Sequence, residues 1–322
     1  PHRIATALGV GVGGLEAIEA AAHARLTQGA RRVSPFGIPI LIPNMGAAAL
    51  ARLVGALGPS WCPATACASG AFAIGQAMQL LRHGGADAAI CGGAESCITP
   101  LALACFARMG ALSTRNADPE GAVRPFDRDR NGFVMAEGAV IFILEREDAA
   151  RRRGAPILAE LAGFGASCDA FHDTQPAPDG RGAIAAMRGA LADARLDTDD
   201  VDYIHAHGTG TRYNDGVEAA AIASVFGSER ILVSSTKGAT GHMLGASGAF
   251  GALACLFAMQ RGVVPPTRNL DHPDDGCGLD LVPRVARERR PRVCVVNSFA
   301  FGGQNASLAL AAPRTTRAQE RS

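Results

Sequence analysis

Two windows of the chain are apolar on every side and nearly identical. Ala68–Gly84 reads ASGAFAIGQAMQLLRHG, and Ala246–Gly262 reads ASGAFGALACLFAMQRG. They begin with the same five residues and end on the same glycine, at a constant offset of 178 positions (68 to 246). A helix that is apolar all round is packed on all sides. The repeat therefore predicts two homologous halves, each built about a central buried helix. Around these windows the pattern changes to short apolar runs closed by glycine or polar residues. They are ADAAICGG (Ala86–Gly93), Ala139–Leu144 inside GFVMAEGAVIFILERE, ILAELAGFGASC (Ile157–Cys168), VDYIHAHG (Val201–Gly208), RILVSSTKG (Arg230–Gly238) and RVCVVNSFAFGG (Arg292–Gly303). Runs of this length read as strands, and the unbroken Ala139–Leu144 as one buried on both faces. Arg146–Arg153 reads as a charged helix and Gly182–Ala194 as an amphipathic one. Strands alternating with helices predict a layered α/β fold. Its strand-end loops then collect the polar chemistry.

The boundary between the halves is expected near residue 155. Residues 156–313 make a full C-terminal half, and 314–322 a polar tail expected to fray. Residues 1–155 start almost at once on GVGVGGLEAIEAA, as if an earlier strand and helix were missing. Composition narrows the class. Hydrophobic residues are 48% and charged residues 19%, which excludes a disordered chain. A net charge of +1 gives no support to nucleic-acid binding. Pro59–Leu81 and Gly238–Gln260 each run 23 residues without a charge, but proline, glycine, serine and His242 interrupt them. They read as core helices and not as membrane spans. Nine cysteines without a CxxC pair fit a reducing compartment and predict no metal site of the zinc-finger kind.

Three loops carry candidate chemistry. Cys67 stands in PATACASGAF at the start of the first buried helix. A helix N-terminus presents unpaired N–H groups, which favours the thiolate, and the thiolate is the nucleophile. His207 lies in HAHGTGT and His242 in STKGATGHMLG, just before the second buried helix. Two imidazoles donating to one carbonyl oxygen stabilise an enolate. The duplication predicts that the two helix mouths lie side by side.

TACASG, AHGTGT, STKGATGH and NSFAFGGQN occur in this order, together with ALSTRN, RPFDRDRNGFV and NLDHPDDGCGLDLVP. In these motifs the chain resembles the elongating β-ketoacyl-acyl-carrier-protein synthases of type II fatty acid synthesis, from about Ile4 to Ala312. The resemblance implies the thiolase fold, a five-layer α-β-α-β-α sandwich of two duplicated halves. It implies that Cys67 accepts the acyl chain and that His207 and His242 support malonyl decarboxylation. It implies that Lys237 organises the site with the acidic residues Asp215 and Glu218 near it, that Phe301 is the gate with Phe299 in the same loop, and that the N–H groups of Cys67 and Phe301 form the oxyanion hole. No cofactor is implied. The implied partners are acyl and malonyl forms of an acidic acyl-carrier protein, docking at Arg31 and Arg32, and a second copy of the chain meeting at Ala86–Cys91. The implied compartment is the bacterial cytoplasm, or a mitochondrial matrix or plastid. A polyketide-type condensing enzyme, or a catalytically impaired partner subunit, are the alternatives.

The chain departs from that pattern in several places. Gly251 stands where a glutamate paired with the lysine is usual, and Ala300 stands where glycine would allow a positive φ. RYND replaces the usual proline and glycine after HGTGT, and Gly110 replaces an arginine near Arg108. The resemblance also implies roughly another hundred residues upstream of Pro1. Without them the 322 residues are not expected to form a competent enzyme on their own.

Overall fold

The structure is a computed structural model, and it describes residues 1–227 and 231–313. The expected frayed tail at 314–322 lies outside the described residues. Eleven strands and ten α-helices are present among the described residues. The first half holds β1 (Ile4–Gly9), α1 (Leu15–Gln28), α2 (Gly37–Leu41), α3 (Met45–Val54), β2 (Ser60–Trp61), α4 (Ser69–Arg82), β3 (Ala88–Glu95), α5 (Pro100–Arg108), β4 (Gly138–Glu145) and α6 (Glu147–Arg152). The second holds β5 (Glu160–Cys168), α7 (Arg181–Ala194), β6 (Tyr203–His205), α8 (Asn214–Phe226), β7 (Leu232–Ser234), α9 (Lys237–Thr240), α10 (Ser247–Arg261), the hairpin β8 (Val263–Val264) and β9 (Arg287–Glu288), β10 (Val293–Phe299) and β11 (Gln304–Ala311).

Two sheets enclose a middle layer of helices. The four-stranded sheet runs β2-β1-β3-β4 and the five-stranded sheet β5-β11-β10-β6-β7. In both, three neighbouring strands are parallel and the next is antiparallel. α4 and α10 pack against each other between the sheets, α3 covers β1 on one outer side, and α7 covers β5 and β11 on the other, with α8 beside it. That is the five-layer order the sequence implies, with the two near-identical windows as its centre. Their apolar faces make one core of Ala73, Met78, Leu81, Cys255, Met259, Phe164 and Leu308 between the sheets. A second core, with Met187, Leu191, Ile222, Phe226, Ile204 and Val295, lies under α7 and α8.

The shared SGA triplet explains how the central helices approach. A Cβ on Gly248 would sit 2.7 Å from the Ala71 amide nitrogen, and a Cβ on Gly70 2.9 Å from the Gly245 carbonyl oxygen. Each helix thus presents a glycine to the other's backbone, and close packing leaves no room for a larger residue.

One expectation needs correction. Ala139–Leu144 does form a strand, β4, but it is not buried on both faces: Ile143 is 69% exposed. β4 is the outermost strand of its sheet, so one edge and part of one face are open. The strand after the nucleophile helix, β3, is hydrogen-bonded on both sides by β1 and β4. Both of its edges are thus paired within the sheet. The two charge-free stretches are α4 and α10 with their approaches, and no helix among the described residues is long and apolar enough to cross a membrane.

Candidate active site

The chain from β2 enters α4 through a 3₁₀ turn, Ala66–Ala68, and Cys67 is its middle residue. Ala66 has φ +45°, in the left-handed region that L-residues with a Cβ avoid. Ser69 pins the turn: the Thr65 N–H donates to its Oγ at 2.9 Å, and that hydroxyl donates to the Ala66 carbonyl at 2.7 Å. Strain of this kind persists where the surroundings over-determine a reactive residue's position. His207 leaves the end of β6. His242 follows α9 and is strapped to Val134–Ala136: its N–H donates to the Val134 carbonyl at 2.8 Å, and the Ala136 N–H donates to its carbonyl at 3.0 Å.

These three segments converge. His242 Nε2 lies 3.2 Å from Cys67 Sγ. The two imidazole centroids are 5.4 Å apart, edge to face. One nitrogen from each ring and the sulfur all lie within 4.8 Å of one another. All three residues are buried, at the floor of a cavity of about 930 Å³ also lined by Phe106, Leu112, Phe133 and Phe301.

Burial sets the protonation states. The expectation that Cys67 ionises easily is overturned: its pKa is pushed up to about 12. Loss of hydration is the main cause. The positive charge of Lys237 opposes it, and the negative charge of Glu95 adds to it. Both imidazoles are held well below their ordinary value, first by burial and then by Lys237. At rest the site is thus a neutral thiol facing two neutral rings. His242 Nδ1 lies 2.9 Å from the Ser247 hydroxyl, a group that can donate or accept. His242 can therefore present Nε2 either as an acceptor for the thiol proton or as an N–H donor.

Lys237 opens α9, and its Nζ donates to the His207 carbonyl oxygen. Burial lowers its pKa to about 8 against the opposing pull of Glu218, Cys67 and Asp215. No carboxylate oxygen among the described residues comes within ion-pair distance of Nζ, so Glu218 and Asp215 act on it only through space. Their oxygens are used elsewhere. Glu218 accepts the His207 and Gly208 N–H groups at 2.7 Å each, and burial raises its pKa to about 7. Asp215 accepts from the N–H groups of Phe126, Thr209 and Gly210. The two carboxylates shape the histidine loop. The RPFDRDRNGFV segment braces the same loop, with Arg130 Nε donating to the Thr211 carbonyl at 2.9 Å.

At Gly251 no side chain is possible without rearrangement. A Cβ there would meet His205 Nδ1 at 2.9 Å and a Val296 methyl at 2.7 Å. The His205 ring occupies the space, its Nε2 3.0 Å from the Thr236 hydroxyl, just ahead of Lys237. Ala300 also resolves simply. Its φ is −129°, open to any L-residue, and the left-handed positions fall on Gly302 and Gly303. Phe299 packs against the His207 ring, with centroids 6.1 Å apart, and Phe301 stands at the cavity wall. Arg31 and Arg32 lie in an exposed 3₁₀ turn away from the cavity, with no ion pair among the described residues.

Sequence reasoning passed over three residues. Glu95 is buried among glycines and accepts N–H groups from Gly11, Val12, Gly13 and Gly245, tying the first loop to the mouth of α10. A lone charge in the apolar run ICGGAES was its only signal. Ser247 had none. His205 shares the HAHG motif with His207, at the period of two that marks one face of a strand.

The model of the β-ketoacyl synthase N-terminal domain matches residues 1–150, and that of the C-terminal domain matches residues 158–271. The fold and this buried thiol with its two imidazoles therefore define a condensing enzyme of the thiolase-like ketosynthase class. The chain belongs to the β-ketoacyl synthase family. It is 49% identical over 308 residues to "3-oxoacyl-[acyl-carrier-protein] synthase 2" of Synechocystis sp., covering 95% of this chain and 74% of that protein. It is 46% identical over 310 residues to the protein of the same name from Vibrio cholerae, covering 95% and 75%. Among solved structures it is similar to "The ishigamide ketosynthase/chain length factor" at a TM-score of 0.91 and 36% identity, covering 97% of this chain and 76% of that one. It is also similar to a type II polyketide ketosynthase in complex with its acyl-carrier protein, at a TM-score of 0.93 and 32% identity, covering 97% and 79%.

Proposed function

We propose that the chain condenses an acyl group held on Cys67 with malonyl-acyl-carrier protein, releasing carbon dioxide and a 3-oxoacyl-acyl-carrier protein two carbons longer. The observation that carries this reading is the 3.2 Å approach of His242 Nε2 to Cys67 Sγ with His207 beside them. In the first step the neutral His242 ring takes the thiol proton as the sulfur attacks the incoming thioester. The acyl–sulfur bond to the carrier breaks, and the proton passes to the departing carrier thiol. The N–H groups of Cys67 and Phe301 stabilise the tetrahedral oxyanion. In the second step the malonyl C–C bond breaks, and its electron pair moves onto the thioester oxygen, which His207 and His242 hold by donating N–H. The enolate carbon then attacks the acyl carbonyl, and Cys67 leaves and regains a proton. Lys237 keeps both imidazoles neutral and, through the His207 carbonyl, fixes that ring. Phe301 and Phe299 line the route in.

Arg31 and Arg32, exposed and free of ion pairs among the described residues, are the docking point for the acidic carrier. We read the assembly as a homodimer with its contact at Ala86–Cys91 and the compartment as a bacterial cytoplasm, a reading that the bacterial source of the relatives supports. We divide the halves near residue 155, between α6 and β5. The polyketide alternative draws support from the ketosynthase neighbours. Cys67 counts against an impaired partner subunit. The test is to incubate the chain with acyl-carrier proteins of several chain lengths and read intact mass. An acyl adduct on wild type that is absent from Cys67→Ala supports the reading; a normal adduct on the variant refutes it. Carbon dioxide release with polyketide-length substrates alone decides for the alternative.

A further inference from the structure

We infer that Cys67, His207 and His242 also form a binding site for a soft divalent cation such as Zn²⁺, and that its occupation blocks the thiol. Zinc takes sulfur at about 2.3 Å and imidazole nitrogen at about 2.0–2.1 Å in a tetrahedron, which spaces its donor atoms roughly 3.3–3.6 Å apart. One pair here already stands at 3.2 Å, and the whole trio closes within 4.8 Å. It is the one such trio of His, Cys, Asp or Glu among the described residues, and all three members are buried.

The chemistry of the donors fits. A metal needs one imidazole lone pair from each ring. His207 Nδ1 has no hydrogen-bond partner among the described residues. A Cys-His₂ set leaves the fourth position to the cavity, the arrangement of open rather than structural zinc sites. Binding forms one sulfur–metal and two nitrogen–metal bonds. The thiol proton leaves to solvent and no electron is transferred. Cysteine spacing in the sequence gave no hint of the site, because its ligands come from three separate segments.

The site is tested by metal binding alone, which does not depend on the proposed reaction. The full chain, with the exposed Cys105 and Cys168 changed to serine to remove adventitious thiols, is freed of metal and titrated with Co²⁺ and then with Zn²⁺. One Co²⁺ per chain with a sulfur-to-cobalt charge-transfer band, displaced by Zn²⁺, is expected. Cys67→Ser abolishes the band, and His207→Ala and His242→Ala each weaken binding ~10-fold or more. Circular dichroism checks that each variant is folded. As a variant-free readout, Zn²⁺ protects Cys67 of the otherwise unchanged chain from iodoacetamide, scored by peptide mass. A band that survives in Cys67→Ser, or Cys67 alkylated as fast with Zn²⁺ as without it, overturns the site.

Discussion

The two halves repeat one plan but use it differently. β2, the turn, α4 and β3 correspond to β7, the turn, α10 and β10, with the same strand order and directions. At the constant offset Ala66 falls on Leu244, and both have a left-handed φ, +45° and +42°. Cys67 falls on Gly245, and Ala73 on Gly251. The strained turn is thus present twice, but only one copy holds a side chain where the turn aims it. In the second copy a Cβ on Gly245 would lie 2.3 Å from the Gly11 amide nitrogen and 3.0 Å from the Val10 carbonyl carbon. The loop after β1 fills that space. One helix mouth carries the thiol; the other is closed by backbone and gives the site its histidine from three residues earlier. A duplicated fold has been made asymmetric at one residue of each copy. Among the described residues, β11 is flanked by β5, whereas no strand is paired beyond the corresponding β4.

The sharpest way to break this comparison is to give the second copy a side chain. Gly245→Ala forces a Cβ into backbone on two sides, and overpacking that cannot relax costs about 3 kcal/mol or leaves the chain unfolded. Cys67→Ala, the mirror change, costs about 1 kcal/mol at most while abolishing acyl-adduct formation. Urea midpoints for the pair read the asymmetry directly. Equal losses of stability would show that the two mouths are packed alike.

Glu95→Gln comes next. The carboxylate accepts four N–H groups and joins the β1 loop to Gly245. An amide turns donors toward some of them, and leaving such groups unpaired in the interior costs about 2 kcal/mol. A lowered melting temperature with the helical circular-dichroism signal kept is the expected result; no change would mean that water takes over the bonds.

A smaller effect separates Ala73 from Gly251. Gly251→Ala meets the His205 ring and costs about 1–2 kcal/mol. In a His205→Ala background the same change costs less, because the ring is gone and only the Val296 methyl still meets the new Cβ. That non-additivity, read from a double-mutant cycle, is what contact between the two predicts. Additive losses would assign the cost to Val296 instead.

Much of this plan was legible in the residues. The repeat announced the halves and the middle layer, because a helix packed on all sides must be apolar on all sides. The three reactive side chains were legible from their loops. What escaped was whatever depends on distance in sequence. The ionisation of Cys67 could not be read from its place at a helix start, because the burial and the charge of Glu95 that oppose it come from other segments. β4 looked doubly buried because its apolar run is unbroken, and nothing local marks an edge. His205 and Gly251 look unrelated until the fold sets one against the other.

The smallest expected effect comes from one of the links that join the halves outside the helix crossing. Asp127 of the first half accepts the N–H groups of Asp271 and His272 from the second at 2.8 Å each, and it also takes Arg124. Burial alone would raise its pKa. The His272 N–H, Arg124 and the other donors outweigh burial and hold it below the ordinary value. Asp271, paired with Arg124 and Arg284, is lowered in the same way. A carboxyl whose folded pKa lies below its unfolded one binds fewer protons when folded, so stability rises with pH through that range. The contribution is complete above the ordinary carboxylate value and is lost as pH falls through the folded one. Urea midpoints should therefore drop between about pH 5 and about pH 3, and Asp127→Asn, less stable throughout, should show a shallower drop. An unchanged slope in the variant would move the acid sensitivity to other carboxylates and leave the contact between the halves dependent on packing alone.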